Sequence, residues 1–217
     1  MRRIADFIAK QSNMLLDNKQ QAIVCALILA VLPFTLWLSV ALVALFTLRK
    51  GIKSGMDLLV PALVVHAVPL LIYLPNAGAL ISTCIAYIPC FVAAVVLRKT
   101  TSWHAVFGVI LLQAAVGALL FQIFAPEYII NQFNMFRTLL AQHQSYGQLV
   151  HKSSDSLSNV AWAQLFFGIQ LITVVIINII PLMVARAVQS KLFIPGGFEA
   201  ELLAFRSGRL ALVALFT

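Results

Sequence analysis

The chain has 217 residues, of which 62% are hydrophobic and 10% charged, and it carries a formal net charge of +8. A mean hydropathy of +0.98 excludes a water-soluble globular domain and leaves an integral membrane protein whose partner is the lipid bilayer. The bases lie at the ends of apolar runs, where anionic inner-leaflet lipid accounts for them, so no nucleic-acid site is read.

Residues 1–19 alternate basic and apolar positions, with Ile4, Phe7 and Ile8 able to share one helical face. They lack the layout of a cleavable signal peptide and read as a cytoplasmic interfacial segment. Residues 20–124 read as transmembrane helices. The first stretch, Gln20 to Leu48, carries no charge and contains Pro33. One helix of that length would reach roughly 43 Å, against a hydrocarbon slab of about 30 Å. It is either one kinked, tilted crossing or two short half-crossings meeting near Leu32 to Thr35. Arg2, Arg3, Lys10 and Lys19 precede it, and Arg49, Lys50 and Lys53 follow it. Basic residues on both flanks want both ends in the cytoplasm, which a hairpin satisfies. Ala22, Ala26 and Ala30 recur at four-residue intervals. They form a smooth ridge suited to close helix approach, either inside the bundle or against a partner.

The run from Met56 to Leu74 carries Pro61, His66 and Pro69. An ionisable side chain near mid-membrane is a functional candidate, and a neutral histidine capping a carbonyl freed by proline is the alternative. LPNAG, Leu74 to Gly78, is a tight turn on the outer face. Ala77 to Leu97 returns to the cytoplasm at Arg98 and Lys99 and holds a mildly polar patch around Thr83, Cys84, Tyr87 and Pro89. Trp103 to Phe124 follows, with Gln113 inside it.

Residues 125–159 form the one long polar interruption, an extracytoplasmic amphipathic helix and loop. Ile129, Phe133, Phe136 and Leu140 fall on one helical stripe, and the helix lies along the interface or over the mouth of a cavity. Residues 160–185 are a transmembrane helix with Gln164, Gln170 and Asn178 in its interior. Gln164 and Asn178 fall close enough in angle to share a face, where amides serve as helix glue or as ligand contacts. Residues 186–209 form a cytoplasmic loop with a PGGF turn at Pro195, Gly196, Gly197 and Phe198, followed by a helix that carries Glu199, Glu201, Arg206 and Arg209. Residues 210–217 begin a further apolar segment too short to span, so a longer chain is expected. The fold class is therefore all-α, a polytopic transmembrane bundle with five to six crossings.

Two stretches carry a resemblance. PFTLWLSVALVALFTLRKGIKSG, Pro33 to Gly55, and FIPGGFEAELLAFRSGR, Phe193 to Arg209, together with ADFIAK at Ala5 to Lys10, resemble the corresponding parts of the uncharacterised YybS-like bacterial membrane proteins. They cover about a quarter of the chain. That family is distantly similar to the S components of energy-coupling-factor importers. The resemblance implies a bundle of about six helices in the bacterial inner membrane, an outward small-molecule pocket, and a coupling subunit docked on an alanine ridge at Ala22, Ala26 and Ala30. No binding signature of the family carries over residue by residue.

The function expected is a small-molecule-binding subunit of a transporter, with His66, Tyr87, Gln113, Gln164, Gln170 and Asn178 as ligand-contact candidates. The alternative is a membrane scaffold acting through its cytoplasmic region, with Gly196 and Gly197 at the contact. No phosphate-binding G-x-x-x-x-G-K-[ST] loop is present to energise transport, so partners are implied. Ser39, Ser82 and Ser102 lack an evident base and no H-E-x-x-H occurs, so neither an enzyme, a cofactor nor a metal site is expected.

Overall fold

A computed structural model describes residues 14, 17–32, 34–73, 76–124, 126–141, 159–193 and 197–204. All regular structure among them is helical: α1 (Lys19–Val31), α2 (Leu36–Lys50), α3 (Ile52–Tyr73), α4 (Asn76–Thr100), α5 (Trp103–Phe124), α6 (Pro126–Ala141), α7 (Asn159–Phe193) and α8 (Gly197–Ala204). The interfacial segment read over residues 1–19, the loop over 142–158 and the segment at 210–217 lie outside the described residues, apart from Met14 and residues 17–19.

Among the described residues four helices are long and apolar enough to cross a membrane, within Ile52–Ile72, Gly78–Thr100, Trp103–Phe124 and Val160–Phe193. The all-helical bundle is thus present, with four helices of spanning length among the described residues against the five to six crossings expected from hydropathy. The stretch from Gln20 to Leu48 divides into α1 of 13 residues and α2 of 15. At about 1.5 Å per residue each reaches only about 20 Å, short of the slab. The two run antiparallel, because Ser39 Oγ near the start of α2 donates to Ala26 O near the end of α1 at 2.9 Å. One continuous helix over this stretch is excluded, and the two helices meet where the composition placed the break. At that break Phe34 is 93% exposed with φ 69°, a left-handed angle that is costly for a bulky residue.

The chain forms two compact units, one of residues 1–110 and 177–217, the other of residues 111–176. Within the first, α1 packs on α2 and α3, and α2 packs on α3 and α4. α2 is buried almost throughout its length, from Ser39 to Leu48, apart from the half-buried Leu42. That explains why its sequence is apolar on every side. α1 buries Ala22, Ala26 and Ala30 and turns Val24, Ile28 and Val31 outward. Such an inversion, with bulky apolar groups outside and small ones inside, is stable only when lipid is the solvent. α5 carries it further, exposing Leu111, Leu112, Leu119, Leu120 and Ile123.

The basic residues of this unit gather at one end. Lys19 Nζ lies 2.5 Å from Asp57 Oδ2, and Arg98 Nη1 donates to Thr47 O at 3.0 Å and Leu48 O at 3.1 Å. Arg98 thereby bonds carbonyls in the last turn of α2, of which Thr47 O also accepts from Gly51 N, and faces the negative end of the helix dipole. Gly51 closes α2 with φ 102°, an angle that a side chain would strain. Gly55 allows α3 to approach α2 closely beside Thr47 and Phe91.

In the second unit α6 is the expected amphipathic helix. Ile129 is buried, while Phe133 and Phe136 lie against Phe166 of α7 with ring centroids 6.0 and 4.7 Å apart. α7 runs on to Phe193, so residues 186–193, expected in a loop, are helical and Pro181 lies inside the helix.

Candidate functional site

The hairpin tip is the first polar focus. A helix end shielded from water leaves carbonyls that need other donors. Three side chains reach carbonyls there, and a fourth supports one of them. Thr35 Oγ1 points at Leu29 O (2.9 Å) and Leu32 O (3.1 Å). His66, from α3, lies with Nδ1 3.0 Å from Ala30 O; a carbonyl only accepts, so Nδ1 carries the proton. Tyr87 of α4 donates to Ser39 Oγ at 3.0 Å, and Ser39 passes the chain on to Ala26 O. The His66 and Tyr87 rings meet edge to face at 5.8 Å. His66 therefore does cap a carbonyl, though it is the one orphaned at the end of α1 rather than one freed by Pro61 or Pro69. Replacing His66 by leucine should leave Ala30 O unsatisfied and cost about 1–3 kcal/mol. A fall in the thermal midpoint of the protein in detergent measures that loss, and an unchanged midpoint removes the cap from the account.

The alanine ridge lies in the same place. Ala22 and Ala26 have no exposed surface and Ala30 has 2%, so the ridge packs within the unit and offers no open face.

The second focus is a cleft of about 490 Å³ in the second unit, formed by Gln122 of α5, Ile129 and Ile130 of α6, and Val160, Ala163, Gln164 and Phe167 of α7. Its walls are apolar and its two polar side chains are amides. Of the expected ligand contacts only Gln164 lines it. His66, Tyr87 and Asn178 belong to the first unit, and Gln113, Gln164 and Gln170 to the second, so the set makes no single site within either. Asn178 is 1% exposed, whereas Gln164 is exposed. Gln113 points Nε2 inward, where it meets no acceptor.

The third focus is α8, at the basic end of the first unit. Glu201 accepts from Arg186 through both carboxylate oxygens, with Nε at 3.1 Å from Oε2 and Nη2 on Oε1, and from Trp103 Nε1 at 3.2 Å. The Arg186 hydrogen bonds hold the Glu201 carboxyl below its ordinary range, with Arg186's charge and Trp103 adding to the effect against an opposing contribution from burial. Phe198 N donates to Ser190 Oγ at 2.8 Å, and the Phe198 ring meets Trp103 at 6.2 Å. Gly197 is half-buried at the start of α8, while Gly196, Arg206 and Arg209 lie outside the described residues.

Sequence reasoning passed over Gln122, Thr35 and the partner role of Ser39. Only the hydroxyl and amide groups inside apolar runs signalled them. No family model, curated protein or solved structure matches this chain.

Proposed function

We propose that this chain is a small-molecule-binding subunit of a membrane transporter, with its ligand held in the cleft between α5, α6 and α7. The observation that carries this reading is the cleft itself. Its volume of about 490 Å³ lies in the range of small-molecule sites, and a few polar groups on apolar walls are what such sites use to orient a ligand. Amides donate and accept without charge, so a neutral organic molecule with hydrogen-bonding groups suits Gln122 and Gln164 better than a metal ion does.

In this reading the basic end faces the cytoplasm by the positive-inside bias, and the chain lies in the bacterial inner membrane. The re-entrant hairpin and its His66 cap support transport independently, since irregular backbone at membrane depth occurs where protein or a cavity receives it. The resemblance to S components adds a coupling subunit as partner. Its contact is drawn from surfaces other than the buried alanine ridge. The scaffold alternative rests on α8, whose Glu201 is engaged by Arg186 and Trp103, leaving that carboxylate little to offer a partner.

Mass spectrometry of the protein purified in mild detergent should find a copurifying organic molecule. Gln122→Leu with Gln164→Leu should lower its occupancy at least tenfold, the effect of about 1.4 kcal/mol. Equal occupancy in the double variant, or a protein free of any ligand, overturns the assignment.

A further inference from the structure

The basic end of the first unit contains a hollow of about 80 Å³ lined by Arg49, Arg186, Gln189, Ser190, Gly197 and Glu201, with the Phe193 ring beside them. Two guanidinium groups and one carboxylate line it. Arg186 and Glu201 neutralise each other, and Arg186 Nη1 also donates to Gln189 Oε1 at 2.8 Å. Arg49 is the surplus charge. Its Cζ lies 3.7 Å from the centroid of the Phe193 ring, a cation–π contact that holds the guanidinium over the ring without using its N–H donors. An arginine in the last turn of a helix ordinarily turns back to that helix's own carbonyls, but Arg98 already occupies those of Thr47 and Leu48. Among the described residues Arg49 has no hydrogen-bond acceptor.

A guanidinium held over an aromatic ring with its fork unspent, beside a neutralised ion pair and a space for a few heavy atoms, is a receptor for a planar or tetrahedral oxyanion. We infer that this hollow binds a phosphate group, with Arg49 as the charged, bidentate contact and the Arg186 N–H groups left over from Glu201 as the second. The phosphate belongs to an anionic lipid headgroup or to a soluble phosphate, two sources with the same chemistry. This inference stands apart from the cleft in the second unit and survives or fails independently of it.

The test uses the full chain in neutral detergent micelles, followed by native mass spectrometry during separate titrations with phosphatidylglycerol and inorganic phosphate. One saturable adduct is expected with at least one of the two probes. Arg49→Gln should weaken it at least tenfold, and Arg49→Lys, which keeps the charge without the planar fork, should weaken it nearly as much. Lys53→Gln, at the same end but outside the hollow, should leave it unchanged. An Arg49-dependent adduct with phosphatidylglycerol alone assigns the lipid headgroup, and one with inorganic phosphate assigns a soluble ligand. Equal binding by the wild type and Arg49→Gln with both probes, or no saturable adduct with either, overturns the inference.

Discussion

Gly55→Ala is expected to destabilise the first unit by about 3 kcal/mol, the sum of overpacking a tight helix crossing and displacing a buried hydrogen-bonded hydroxyl. A Cβ at this position falls 2.1 Å from Thr47 Oγ1, 3.0 Å from Phe91 Cε2 and 3.1 Å from Thr47 Cβ. Thr47 cannot simply turn away. It is fully buried, β-branched and therefore stiff about χ1, and its hydroxyl donates to Val43 O at 2.7 Å. Either that bond is given up or α2 and α3 move apart, which also opens the contact that α2 makes with α4. The measurement is thermal unfolding in detergent. Combining Gly55→Ala with Thr47→Ala should recover part of the loss, since the two changes share one volume and are non-additive. A double variant no more stable than the single one shows that close packing at Gly55 is not the cause.

Arg186→Ala should cost about 2–3 kcal/mol, between the values for exposed and for fully buried ion pairs, because it strands a half-buried carboxylate. The side chains of Arg186 and Glu201 retain 16% and 27% exposure, so some water remains to soften the loss. Glu201→Gln should cost less, since an amide oxygen still accepts from Trp103. The pair also sets a pH dependence. Folding lowers the Glu201 pKa, so the unfolded chain binds more protons in acid and stability rises with pH across that range. The contribution is complete above the ordinary value of 4.5 and is lost as pH falls through the lower folded-state value. Glu201→Gln should flatten this acid limb of the stability curve by lowering stability at neutral pH while leaving the acid end little affected. An unaltered acid limb removes Glu201 as its source.

Much of the fold was legible because lipid makes hydropathy a direct reading of position. Trp103 to Phe124 was bounded to the residue, and α3 and α4 within a few residues at each end. The basic flanks of the first stretch pointed to a hairpin, and Pro33 lay at its break. The number of full-length spans was harder to read, because hydropathy does not separate that stretch from the longer spans. Length is a property of one helix, but the division into α1 and α2 is held by Ser39 and His66, which reach α1 from outside it. The amphipathic stripe of α6 was clear, since Ile129, Phe133 and Phe136 repeat at helical spacing.

Facing directions were less legible. The alanine ridge suited an internal or an external partner equally, and only the packing of α2 and α3 buries it. Amides in an apolar run likewise carry no sign of which neighbour they meet. Asn178 went into the interior of one unit and Gln164 to the cleft of the other, although the helix brings them near the same angle. Arg186 ended the hydrophobic run in the sequence, yet α7 continues through it because Glu201 and Gln189 supply acceptors.

The hairpin of α1 and α2 sets an order for its own completion. Ala30 O and Ser39 Oγ take their partners from His66 and Tyr87, which lie on α3 and α4 and follow the hairpin in the chain. Its polar contacts close only once those two helices have been made and have packed against it.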